Sequence, residues 1–316
     1  MKISFTRLVR LVVAIGLTAL VLWKAHPRAV LDAARGTSVG WILAAIALVI
    51  VDRALMAYRW LVLLRAIEPA SRPPLGAIMR VFFVSTFVGT FLPSVGGDVY
   101  RAYSLARYDV SAAQSAASVL MDRVLGVASI LILGVVGIAL AGARFVDRGV
   151  AITLAAALLV CAVTALLIFS DKAEEVVRRV LMRLPGARAK RIATMLMEAT
   201  RRYAAHHRDL LNVLVGSVAV QMLRVVQAYC LGRALGISAA VIVYFAFVPL
   251  ILLIMLLPVT VNGLGTSQFA FVWFFAQAGV AQAPAFALSI LFVALGVVGN
   301  LPGGLLYALG RDQRSS

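Results

Sequence analysis

Acidic residues are scarce in this chain. Thirteen Asp and Glu stand against thirty Lys and Arg, and charged residues of both signs make up only 14% of the 316 residues. A soluble domain of this size needs far more polar surface, so a soluble globular fold is excluded. Cysteine is rarer still: Cys161 and Cys230, each inside an apolar run, form neither a disulfide framework nor a metal-binding pattern. The three histidines, His26, His206 and His207, never pair with a carboxylate at ligand spacing such as H-E-x-x-H. No metal and no cofactor is therefore expected. A net charge of +17 in a soluble protein would point to nucleic acid. Here no basic, aromatic-bearing soluble domain exists to hold it, and nucleic acid is excluded as a partner. Lys and Arg collect instead in cytoplasmic loops, where anionic headgroups attract them.

What is present is apolar. Apolar residues make up 63% of the chain and the mean hydropathy is +0.99. The fold class expected is an all-α polytopic membrane protein, a single transmembrane domain over residues 1–316. Lys2, Arg7 and Arg10 precede an apolar run from Leu11 to Trp23 with no small-x-small cleavage site after it, an uncleaved signal-anchor. Trp41 to Leu64 spans, with Asp52-Arg53 near its middle and Arg59 further on. Leu75 to Leu92 is stopped by Pro93. After Gly96-Gly97 only a short helix fits before Arg107 and Asp109, so residues 75–110 read as a re-entrant hairpin. Ala112 to Ala141 spans, and Ala151 to Ser170 returns.

Residues 171–209 are the only long polar segment, with ten Lys/Arg and five acids. Their apolar residues recur at helical spacing, as in two amphipathic helices on the cytoplasmic face, broken at Pro185-Gly186. Leu210 to Leu231 spans with Arg224 inside it. Val241 to Leu257 is stopped by Pro258, and a short helix from about Thr266 to Gln277 follows Asn262-Gly263-Leu264-Gly265. Ala283 to Leu309 closes the chain, interrupted at Asn300-Leu301-Pro302-Gly303-Gly304.

Order repeats along this chain. Arg53 and Arg224 both open Arg-x-x-x-Ala-Tyr. Leu92-Pro93 and Leu257-Pro258 then break a helix, glycines follow, and a short helix and a long span come after each break. Repeat 1 covers about 40–141 and repeat 2 about 210–310. With the N-terminus inside, the positive-inside rule puts seventeen Lys/Arg on the cytoplasmic side against six outside, and the two repeats then run in opposite senses. That is an inverted-topology architecture with broken helices meeting near the midplane. It gives about six full spans plus two hairpins, or eight spans if the hairpin arms cross fully. Both termini fall in the cytoplasm.

Asp52, Arg53, Asp98, Arg101, Asp122, Arg123 and Arg224 lie in or beside apolar segments. A charge at the bilayer centre costs at least about 2.5–3.5 kcal/mol, so each needs a partner or a wet cavity. One reading is mutual neutralisation: Asp98 with Arg101 one helical turn away, and Asp52 and Asp122 each with an arginine on a neighbouring helix. Three acids cannot neutralise four arginines, however, and a surplus guanidinium in a cavity suits a phosphate. Arg53, Arg101, Arg123 and Arg224 are the headgroup-binding candidates, with Arg101 the one expected to touch the headgroup. The glycine breaks are either packing kinks or two half-helix N-termini, capped by Asp98 and by Thr266 or Ser267, that attract anions. Asp98 is assigned to capping and to orienting Arg101. Tyr58, Tyr100, Tyr103 and Tyr229 read as headgroup contacts or as interfacial and packing tyrosines.

Phe91-Leu92-Pro93-Ser94-Val95-Gly96-Gly97-Asp98-Val99-Tyr100-Arg101, followed by Ser118-Val119-Leu120-Met121-Asp122-Arg123-Val124-Leu125-Gly126, resembles the lysylphosphatidylglycerol synthase transmembrane-domain family, also called flippase-like. Leu257-Pro258 with Asn262-Gly263-Leu264-Gly265, and Gly299 to Gly304, agree. The resemblance runs over about residues 8–310. It implies movement of lipids, aminoacylated phospholipids among them, between leaflets, and links to polyprenyl-phosphate sugar pathways and hopanoid export. Asp122-Arg123 stands where the family often has Glu-Arg, and Gln268 where it often has Glu, which removes a charge. The membrane part uses up the chain, so no soluble aminoacyl-transferase domain and no lysyl-lipid synthesis is expected.

The function expected is a transporter in the bacterial inner membrane that binds and translocates an anionic amphiphile, without enzymatic activity. Membrane lipids are the expected partners. Two rivals stand beside it. One is a scaffold that serves a lipid or glycan biosynthetic enzyme through residues 171–209. The other is a membrane-embedded enzyme on a lipid phosphate, which would need a nucleophile or metal cluster that the site residues do not supply.

Overall fold

The computed structural model describes residues 38–67, 74–91, 96–105, 110–142, 197–256 and 265–309, with isolated positions between 155 and 195. Several expectations lie outside them: the signal-anchor, most of the 151–170 span and of the amphipathic segment, and the residues Pro93, Pro258, Asn262 and Gly263.

Among the described residues the structure is helical and contains no strand. The helices are α1 (Val39–Ile67), α2 (Leu75–Phe91), α3 (Gly96–Ser104), α4 (Ala112–Ala141), α5 (His207–Ala234), α6 (Val241–Met255), α7 (Thr266–Ala276) and α8 (Gln282–Ala308), with a 3₁₀ turn at Arg202–Ala205 before α5. Four of them, α1, α4, α5 and α8, are long and apolar enough to cross a membrane. In lipid every backbone N–H and C=O must be satisfied inside the segment, and a helix does this. The chain is therefore a multi-pass membrane protein. Its large exposed side chains form an apolar belt, with Leu43, Ile50 and Val51 on α1, Ile132, Val135 and Leu140 on α4, and Leu211 and Val215 on α5.

Helices α2 and α6 are shorter, at 17 and 15 residues. At 1.5 Å per residue they reach about 25 Å and about 22 Å, less than the ~30 Å hydrocarbon core. Each is followed by a helix that folds back along it. Gly97 of α3 packs on the Ser85 carbonyl and on Gly89 of α2, and four residues on, Arg101 Nε donates to Ser85 Oγ at 3.2 Å. Positions advance along α3 as they recede along α2, so the pair is an antiparallel hairpin with its tip between Phe91 and Gly96. In the second pair Phe247 meets Phe274 and Phe275 with centroids 5.4 and 5.8 Å apart, and Tyr244 meets Phe275 at 5.0 Å.

Two expectations about breaks are corrected. The Asn300–Gly304 stretch does not interrupt the last helix: α8 continues through Pro302 to Ala308. Pro removes one N–H, which a well-packed membrane helix tolerates. Gly303 and Gly304 are instead the face on which α8 meets Phe83 and Phe87 of α2. Likewise Gly96 and Gly97 do not form the break. They open α3, and Gly97 brings its backbone against α2.

Helix starts follow local chemistry. Ser111 caps α4: Gln114 N–H donates to Ser111 Oγ at 3.2 Å and Ser111 N–H donates to Gln114 Oε1 at 3.2 Å. A Ser111→Ala variant should lose about 1 kcal/mol of stability, read as a lower thermal midpoint.

The packing exchanges halves of the chain. Helices α1 and α5 share the most extensive interface, α4 lies on α6, and α8 lies on α2. Glycine sets both of the latter distances. A β-carbon on Gly137 of α4 would overlap the Phe245 carbonyl of α6, and one on Gly303 of α8 would overlap the Phe83 carbonyl of α2.

Candidate functional site

Where α1 to α5 converge, with α8 alongside, the bundle forms a partly open cavity of about 220 Å³ lined by polar and charged side chains. Helix α1 supplies Arg53 and Arg59, and α3 supplies Asp98 and Arg101. Helix α4 supplies Asp122 and Arg123, α5 supplies Arg224 and Gln221, and Asn300 comes from α8. Arg53, Arg101, Arg123 and Arg224 are thus in one place, although they are 171 residues apart at the extremes. Arg59 joins them. The signal for it was in the sequence: it lies on the same apolar span as Arg53, with a guanidinium that lipid would not tolerate unpaired.

Two carboxylates organise the arginines. Asp52, 1% exposed, is gripped on both sides: Arg53 Nη1 donates to Oδ2 at 2.9 Å and Arg224 Nε donates to Oδ1 at 3.2 Å. These two arginines open the two Arg-x-x-x-Ala-Tyr stretches, and they meet on one carboxylate. Both also contact Met56 Sδ, at 3.5 and 3.2 Å. Asp122 is gripped similarly. Arg59 Nη2 donates to its Oδ1 at 2.7 Å and to its backbone carbonyl at 3.2 Å, and Arg101 Nη1 lies 3.6 Å from Oδ2. Each cluster is Arg–Asp–Arg.

Asp98 behaves differently from the expectation. It does not pair with Arg101 one turn away. It accepts from Arg123 Nε at 2.9 Å and from Nη2 at 3.1 Å, a bidentate bridge from α3 to α4. The reason is geometric: Arg101 turns toward α1 and α2. There its guanidinium lies 5.0 Å from the Trp60 ring and 4.8 Å from the Phe82 ring, with Ser85 accepting from Nε. The cap of α7 is also not Thr266 or Ser267. Gly265, at φ 91°, precedes the helix, and its N–H donates to Gln268 Oε1, which also accepts from Ser267 Oγ at 3.1 Å.

Exposure separates the five arginines. The Arg123, Arg224 and Arg53 side chains are 53%, 22% and 12% exposed. Arg59 and Arg101 are buried in the wall. Arg123, Arg224 and Arg53 are therefore more accessible than Arg59 and Arg101. Some hydrogen-bonding capacity is unused: Arg53 Nε, Arg59 Nε and Asn300 Oδ1 are buried without a partner among the described residues. Asn300 is oriented by its neighbours. Its Nδ2 donates to Thr90 Oγ1 at 2.8 Å, because the Thr90 hydroxyl is already donating to the Thr86 carbonyl at 3.0 Å. No three His, Cys, Asp or Glu side chains among the described residues gather as a metal site.

Comparison with curated proteins and with solved structures gave no match. The family profile described as the lysylphosphatidylglycerol synthase TM region matches residues 7–303, nearly the whole chain and every helix of the cavity. With its all-helical bundle and its arginine-lined interior, the chain belongs to the lysylphosphatidylglycerol synthase transmembrane-region family.

Proposed function

We propose that the protein binds the headgroup of an anionic amphiphile in this cavity and carries it between the leaflets of the bacterial cytoplasmic membrane, without chemical change. The observation behind this reading is the gathering of five guanidinium groups around three carboxylates inside an apolar bundle. Charge in lipid is costly, and where it persists it marks a substrate path. The cavity volume suits a headgroup and leaves no room for acyl chains, which stay in the membrane.

The reading extends to mechanism. We take repeats 1 and 2 as inverted copies that rock against each other, with the α1–α5 interface at the centre. Asp52 then sits on the axis of the motion and holds one arginine from each copy. Exchange of Arg53 and Arg224 between Asp52 and a phosphate would pass the headgroup from one side to the other.

The test is reconstitution. An Arg53→Ala/Arg224→Ala protein that stays monodisperse should lose lipid transfer between leaflets by at least an order of magnitude, since a charge-assisted hydrogen bond contributes about 1.5–3 kcal/mol. Unchanged transfer would overturn the proposal.

A further inference from the structure

The charge of the cavity specifies more than an anion. Arg53, Asp52 and Arg224 together carry one surplus positive charge. Arg59, Asp122 and Arg101 carry another. The Arg123–Asp98 pair is neutral. Guanidinium stays protonated at any physiological pH, so two positive charges remain uncompensated in a mostly buried space. Neither can be left so at low cost in an apolar bundle.

We infer, building on the proposed function, that the cavity is matched to a terminal phosphate carrying two negative charges, a phosphate monoester or the end of a diphosphate, rather than to a phosphodiester carrying one. Three observations converge on this. The surplus of two equals the charge of such a phosphate at neutral pH. Each Arg–Asp–Arg cluster has one arginine on α1, Arg53 in one and Arg59 in the other, and members of both clusters line the same cavity. A terminal phosphate offers three unsubstituted oxygens as acceptors, and the partly exposed guanidinium groups of Arg53 and Arg224 line the cavity as donors. A diester offers two such oxygens and a single negative charge.

The inference has a pH signature. The second proton of a phosphate monoester leaves near pH 6. Among the described residues no histidine lines the cavity; its charged groups are the five arginines with Asp98 and Asp122, backed by Asp52. The gain of the second negative charge by the ligand should tighten its binding between about pH 5 and about pH 8.

The experiment uses the full chain in phosphatidylcholine nanodiscs. Binding of phosphatidic acid, a monoester, is compared with that of phosphatidylglycerol, a diester, and with competition by soluble glycerol 3-phosphate. Phosphatidic acid should bind about tenfold or more tightly than phosphatidylglycerol at pH 8, and that preference should shrink toward pH 5 while phosphatidylglycerol binding stays level. Arg224→Gln should reduce the preference, and the wild-type pH profile tests the same point without any variant. Equal, pH-independent binding of both lipids would overturn the inference and leave the proposed function standing. Binding of neither lipid would overturn both. Glycerol 3-phosphate that competes as tightly as phosphatidic acid itself binds would support the terminal-phosphate site and overturn its assignment to a lipid, whereas weaker competition would support the lipid.

Discussion

Asp52→Ala should cost about 3–5 kcal/mol, the range for removing one partner of a buried ion pair. The carboxylate is almost wholly buried and accepts from two arginines on different helices. Its removal leaves Arg53 and Arg224 facing each other without a counter-charge. The α1–α5 interface, the most extensive among the described helices, is where the repulsion acts. Thermal unfolding in detergent should show a large loss, with less monodisperse protein recovered. Asp52→Asn keeps the shape and one acceptor oxygen, so it should fall between wild type and Asp52→Ala. The contrast is Asp98→Ala. Its partner Arg123 is half exposed, and a solvent-screened pair contributes about 0–1 kcal/mol. If Asp98→Ala proved as costly as Asp52→Ala, the burial argument would be wrong.

Gly137→Leu and Gly303→Leu should each destabilise the fold by about 3 kcal/mol or more, at or above the usual range for overpacking. In both, even a β-carbon would overlap a backbone carbonyl of the facing helix, Phe245 in one case and Phe83 in the other. A backbone cannot swing aside as a side chain can, so the helices must separate. Each glycine sits at a helix–helix contact where a carbonyl lies against it, α4 on α6 and α8 on α2. Similar losses at the two sites are expected for that reason. Gly76→Ala is the control: nothing lies near its added methyl, and its unfolding midpoint should match that of wild type.

Much of this was legible from residues alone. The starts of α4 and α6 at Ala112 and Val241, and the short α7 from Thr266, coincide with the expected limits, because apolar runs bounded by Pro, Gly and polar residues leave a membrane helix few alternatives. The cost of charge in lipid singled out Arg53, Arg101, Arg123 and Arg224 as a group that needed company. Arg59 escaped that group although the same cost applies to it. Local spacing misled where tertiary packing competes with it. Asp98 and Arg101 are correctly placed for an i,i+3 pair, yet Trp60, Phe82 and Asp122 offer Arg101 more, and Asp98 is left to Arg123. Pro302 with two glycines reads as a break in one dimension. It is a continuous helix in three, because α2 lies against that face.

The sequence by itself determined that the chain is helical and membrane-embedded, and which charges require compensation. Those follow from solvation free energies that each segment meets alone, whatever surrounds it. Only the tertiary structure decided which carboxylate serves which arginine and which glycine faces a carbonyl. It also decided that the charges surround one cavity with two positive charges to spare. Pairing depends on distances of 3 to 4 Å between helices remote in sequence, and a one-dimensional pattern carries no information about those distances until the helices have packed.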